Sequence, residues 1–247
     1  MTNIKENTLV QINARSIHIA YEILALIKNG YADGANARWR TLFELMTIFT
    51  VIANNPDEFA KRYSEHQIMK KYKQSLLLMD YHKKIKESFS KVNHNKLQSE
   101  YNRFIGLYGK DFKKDYGWIP DTFLKDCNFK ALVKKLNIDH YLSYYDESHN
   151  QVHAGSKGFY RIGLTPQQQK DVLLAGPSDY GLADPIQNTT YCLNVINATY
   201  LKSTANLKDL ISMDMLYEFT KEVGIEAVKI QKQLEHDILE NTKKDKY

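Results

Sequence analysis

The stretch YYDESHNQVHAG, Tyr144 to Gly155, gathers an acid pair, a serine, an asparagine and two histidines into about three helical turns. His149 and His153 are four residues apart, so on a helix they share a face with Tyr145. Tyr141 lies one turn earlier on that stripe, and Ser148 and Asn150 flank it. Histidine titrates near neutral pH, so two of them side by side can pass a proton between them or to a substrate. Three chemistries are open to such a pair. Two imidazoles at this spacing can hold one zinc or iron ion, although the adjacent Glu of HExxH is missing and further ligands, such as Glu44, must come from elsewhere. Alternatively, one imidazole can take the proton of a ribose 2′-hydroxyl while an arginine steadies the charged phosphorane. Finally, polar side chains ahead of Gly155 can simply satisfy the last carbonyls of a helix and its dipole.

The arginine that the second chemistry needs is offered by another segment. Residues 35–53 are apolar or small at nearly every position, which marks a helix buried in a core. Arg40, Glu44 and Thr47 nevertheless fall on one face, and Arg38 adds a second guanidinium. Such a stripe either reaches solvent, with Arg40 and Glu44 paired, or faces an internal polar cleft. The catalytic expectation is a cleft between this helix and the histidine helix. Arg40 binds a phosphate, Glu44 orients Arg40 or a histidine, His153 acts as general acid or base, and His149 assists. Arg38, Tyr145, Ser148 and Asn150 complete the substrate-binding set. No cofactor is assigned, and no metal.

The elements that must position these groups read as helices throughout. Apolar residues recur at helical spacing over about 9–28, and Asn29-Gly30 stops that run. Asp33 can cap a second helix reaching about residue 54, which Asn55-Pro56 ends. A turn this short makes the two helices antiparallel neighbours. Further helices are expected at about 57–88 and 95–114, short ones at 121–136, and one from Asp139 to Gly155. The Tyr116-Gly117-Trp118-Ile119-Pro120 run breaks the pattern. Residues 156–183, rich in Gly and Pro, read as a long loop with a short helix near 167–174. Asp184-Pro185 starts a helix to about 211, and a last one spans about 213–242, with a frayed charged tail at 242–247. The fold class is all-α, a bundle of long antiparallel helices, and no boundary divides residues 1–247 into two domains.

Composition agrees with that class. The chain has 247 residues, 43% hydrophobic and 26% charged, and its eleven Gly and five Pro are too few for a many-turned β protein. Seventeen Tyr and ten Phe supply a large core. Two distant cysteines, Cys127 and Cys192, suit neither a disulfide framework nor a zinc ribbon. No signal pattern opens the chain, and the longest apolar run, 42–53, is too short to span a bilayer. The expectation is a cytoplasmic protein with no membrane partner. A net charge of +5 is concentrated in lysine runs at 70–86 and 110–114. Each run fits either a solvated helix face or contact with nucleic acid.

The segments ARWRTLFEL, YGW and YYDESHNQVHAG together resemble an uncharacterised bacterial all-helical family, a domain of unknown function with members near phage-defence genes. The likeness covers roughly residues 16–163. It implies an all-α fold and a link to abortive infection. The architecture is also similar to the HEPN helical ribonucleases, which carry an arginine four to six residues before a histidine on one helix. Here the position five before His153 is Ser148, so the arginine must come from another helix, with Arg40 the candidate. That resemblance implies a metal-independent endoribonuclease acting on RNA and a site completed in a homodimer or other homo-oligomer; an operon partner protein is a further expectation. The alternative is a non-catalytic helical binding or sensor module for a partner protein or nucleic acid.

Overall fold

A computed structural model describes residues 3–88, 91–153, 176–202 and 206–244. The described residues form eight α-helices and no strand: α1 (Ile4–Lys28), α2 (Ala32–Ala53), α3 (Asp57–Ile85), α4 (Lys91–Tyr108), α5 (Phe129–Lys135), α6 (Leu142–Val152), α7 (Ala183–Lys202) and α8 (Leu207–Lys244). Single 3-10 turns at Lys110–Lys113 and Asp139–Tyr141 join the set. The all-α expectation holds. The short helix near 167–174, Gly155, most of the 156–183 loop and residues 245–247 lie outside the described residues.

Local chemistry explains most ends. Gly30 takes the left-handed conformation (φ 76°) and closes α1. Its N–H donates to the Ile27 carbonyl at 3.0 Å, and that of Tyr31 donates to Leu26 at 2.9 Å. Several expected boundaries move: α1 begins at Ile4 rather than near 9, and α4 covers Lys91–Tyr108 rather than 95–114. Asp33 and Asp184 sit inside the first turns of α2 and α7 rather than before them, where a carboxylate still favours the dipole. The helix expected to run from 185 to about 211 ends at Lys202, and α8 begins at Leu207. Asn206 makes that new start, its side chain accepting from Asp209 N–H at 3.0 Å and donating to the Asp209 carboxylate at 2.6 Å.

Where the sequence shows no boundary, the contacts gather into two compact units, Met1–Thr8 with Asn54–Leu142, and Leu9–Ala53 with Ser143–Tyr247. In the second unit α7 packs against both α2 and α8. Its core holds Ile19 and Ile23 of α1, Trp39, Leu42, Phe43, Met46 and Phe49 of α2, and Cys192 and Ile196 of α7. Trp39 stacks on Phe43 with ring centroids 5.4 Å apart.

In the first unit α3 packs on α4, and both meet the 3-10 turn at Lys110–Lys113. The Tyr116-Gly117-Trp118 break folds onto α3 because Arg62, buried there, needs acceptors. Its Nε donates to the Trp118 carbonyl at 2.7 Å and Nη2 to the Gly117 carbonyl at 3.3 Å. The guanidinium lies 4.4 Å from the Tyr108 ring centre, and His66 Nε2 bonds the Lys114 carbonyl at 2.9 Å.

Gly117 is fixed by that fold. A Cβ there would sit 2.0 Å from the Asp111 carbonyl oxygen and 2.8 Å from Phe112 Cα, both backbone atoms. Gly117→Ala should destabilise the chain by about 2 kcal/mol or more, read as a melting temperature roughly 5–10 °C lower. Gly106 on α4 has no atom within 4 Å of its virtual Cβ. Gly106→Ala should instead leave the melt unchanged or raise it by removing a helix-interior glycine.

Candidate functional site

The apolar faces of α2 are taken up by the core of its unit, which leaves Arg40 and Glu44 to meet α6. A guanidinium carries five N–H donors and no acceptor, so what lies against it must offer lone pairs. Three groups do. Arg40 Nη1 lies 2.6 Å from His149 Nδ1, Nη2 donates to the Tyr145 hydroxyl at 2.8 Å, and Nε is 3.6 Å from Glu44 Oε1. The Tyr145 hydroxyl in turn donates to Glu44 Oε1 at 2.5 Å, and Arg40 Cζ stands 4.3 Å from the centre of the Tyr145 ring. The result is a closed ring of charge-assisted bonds between α2 and α6.

Two protonation states follow. Because Arg40 can only donate, His149 Nδ1 must accept, and the imidazole in this arrangement is the neutral tautomer with its proton on Nε2. Burial pushes the Tyr145 phenol well above its ordinary range, and the bond to the Glu44 carboxylate pushes it the same way, while Arg40 pulls it down. Tyr145 therefore keeps its proton through neutral pH and remains a donor to Glu44. Its ring packs 5.9 Å from Phe43, so the polar ring is anchored on the core.

The two imidazoles form the outer edge of this network. His149 and His153 are both exposed, their ring centroids 4.2 Å apart. His153 N–H donates to the His149 carbonyl at 3.1 Å, which ends α6. The structure therefore brings Arg40, Glu44, Tyr145 and His149 together, with His153 beside His149. It places Arg38 elsewhere. That guanidinium pairs with Glu22 of α1 at 2.5 Å, and His18 approaches the same carboxylate at 3.0 Å. Ser148 is buried, and its hydroxyl donates to the Tyr144 carbonyl at 2.8 Å. Asn150 is half-buried. Thr47, the third member of the α2 stripe, is fully buried with its hydroxyl on the Phe43 carbonyl at 2.8 Å.

An open cleft of about 260 Å³ lies on the adjacent flank of α6. Tyr31, Asp33, Tyr144, Glu147, Ser148 and Asp184 line it. Of the expected substrate-binding residues Ser148 lines it, and the sequence otherwise marked Gly30, Asp33 and Asp184 there only as helix punctuation. Among the described residues no three His, Cys, Asp or Glu side chains gather as a metal site requires.

Removing the Tyr145 hydroxyl strands a carboxylate oxygen and a guanidinium N–H together. Tyr145→Phe should cost about 1–3 kcal/mol in a thermal or denaturant melt, whereas His153→Ala, exposed and outside the ring, should stay within about 0.5 kcal/mol of wild type.

Comparison with known proteins gives no match among curated proteins and none among solved structures. A family model does match, over residues 6–170, a span that contains α2 to α6, all of α1 but its first two residues, and both polar stripes. The expected membership of a helical family without assigned activity holds at that level, and the chain belongs to DUF5677, a family of unknown function.

Proposed function

We propose that the Arg40–His149–His153 edge cleaves RNA without a metal, in a protein that serves phage defence by abortive infection. One observation carries the chemistry: a guanidinium sits 2.6 Å from one imidazole, whose ring is 4.2 Å from a second, and both imidazoles are exposed. A phosphodiester laid across that edge meets an anion-binding group and two proton carriers at once. Neutral His153 takes the proton of the ribose 2′-hydroxyl, and the freed oxygen attacks phosphorus. Arg40 swings Nη1 from His149 to a phosphate oxygen and stabilises the phosphorane. Nδ1 of His149 is thereby released to take a proton from solvent, the resulting imidazolium passes one to the leaving 5′-oxygen, and His153 returns the 2′-hydroxyl proton to solvent. The products are a 2′,3′-cyclic phosphate and a 5′-hydroxyl. Glu44 and Tyr145 hold Arg40 in place for this exchange.

A second reading has its own observation. Each of the three guanidinium nitrogens of Arg40 already has a partner on α6 or at Glu44, so the network also serves as a tie between helices. On that reading the chain is a non-catalytic binding or sensor module for a protein or nucleic acid.

Labelled single-stranded RNA incubated with EDTA separates the two. The catalytic reading predicts cleavage by wild type that leaves cyclic phosphate ends and drops about 10²–10⁴-fold in His153→Ala, with an unchanged melting temperature. Arg40→Ala should lose both cleavage and stability. Absence of cleavage in wild type under all conditions, or cleavage that His153→Ala leaves intact, contradicts the catalytic reading.

A further inference from the structure

The C-terminal half of α3 takes no part in the site above, yet it holds most of the charge of the molecule. Residues 70–85 contain five lysines against Asp80, a balance of +4 in a chain whose total is +5. The rest of the protein is therefore close to neutral. The same stretch of α3 exposes large apolar groups. Leu77 is 64% exposed, Leu78 52%, Tyr81 56% and Ile85 41%, and their spacing puts them on one helical face.

That face is turned away from α4. The opposite side of α3 makes the packing contacts, with Ser75 Oγ 3.0 Å from His94 Nδ1 and the Tyr72 ring 4.6 Å from that of Tyr101. Lys70 and Lys84 share the apolar face, while Lys71 and Lys73 lie on its two edges, all exposed. Of the acids, Asp80 is engaged by Lys84 at 2.8 Å and Glu87 lies 3.5 Å from His82. The surface is thus an apolar strip rimmed by cations.

Charge demands an anionic partner, and the apolar strip decides which one. A nucleic-acid backbone would use the lysines and leave three aliphatic side chains in water. An anionic bilayer uses both, because lysines reach phosphate headgroups while Leu77, Leu78, Tyr81 and Ile85 enter the acyl boundary. We propose that this face of α3 docks the protein peripherally on a membrane of anionic lipids. The earlier expectation of no membrane partner rested on spanning segments. No helix among the described residues is long and apolar enough to cross a membrane, and surface docking needs none.

Co-sedimentation of the full chain with vesicles tests this. Phosphatidylcholine vesicles are compared with vesicles containing about one third phosphatidylglycerol, for wild type, Leu77→Ser/Tyr81→Ser and Lys70→Gln/Lys73→Gln. All substituted side chains are exposed, so wild-type melting is expected and is checked first. Wild type should pellet with anionic vesicles alone. The apolar pair should bind at least about tenfold more weakly although its charge is intact, and the lysine pair about tenfold more weakly as well. The proposal is overturned if wild type does not pellet with anionic vesicles. It is equally overturned if the apolar pair binds like wild type, which would leave only charge adsorption and point the lysines to a polyanion such as RNA. A dimer in size-exclusion chromatography that Leu77→Ser/Tyr81→Ser dissolves would also overturn it, by giving the strip to a second copy of the chain.

Discussion

Arg40 is a group that can only donate, placed on a helix that is otherwise committed to the core. Burying α2 brings Trp39 and Phe43 inside and carries Arg40 with them to the edge. A guanidinium there must be answered by lone pairs or it costs more than the neighbouring apolar burial returns. The answer comes from one carboxylate on its own helix and two groups a turn apart on α6. That requirement sets how α6 lies along α2, since Tyr145 and His149 reach Arg40 together only in one register. It also fixes the His149 tautomer, in a pair of imidazoles that are both exposed.

The first unit solves a similar problem differently. Arg62 is buried and takes backbone carbonyls of the Gly117-Trp118 turn, with aromatic rings around it. Its Nε and Nη2 end on backbone carbonyls, which cannot titrate, and Nη1 lies 3.9 Å from the Glu58 carboxylate, which makes it a staple for the fold. Arg40 ends on an imidazole, a carboxylate and a phenol, one side of which is open. The contrast between an arginine held mainly by backbone carbonyls and one whose three nitrogens all face titratable side chains is the physical reason to place chemistry at the second.

Much of this was legible in the residues. The polar stripe of α2 stood out because it interrupts an otherwise core-like pattern, that of α6 because it sets two histidines and Tyr145 on one face, and the i, i+4 spacing of Arg40 and Glu44 put them on one face as well. Grouping Arg38 with Arg40 ignored helix geometry. Two residues apart means about 200° around the axis, so Arg38 points to Glu22 of α1 instead. Which histidine touches Arg40 depended on how far α6 slides along α2, and no single-helix pattern holds that information. The start of α8 had a local signal, Asn206 three residues before Asp209, but the apolar spacing continues across it and hid the break. The two-unit arrangement left no trace in composition, because one unit interrupts the other between α2 and α6.

The protonation of His149 is the most direct measure of the central claim that guanidinium and imidazole serve one phosphodiester. Nitrogen-15 NMR of the imidazole side chains reads it. The account predicts a neutral Nε2–H ring with an accepting Nδ1 in the free protein. Adding an RNA oligonucleotide made uncleavable by 2′-O-methylation should draw Arg40 away and protonate Nδ1. A free protein with the proton on Nδ1, or a ring unaffected by saturating oligonucleotide, would contradict it.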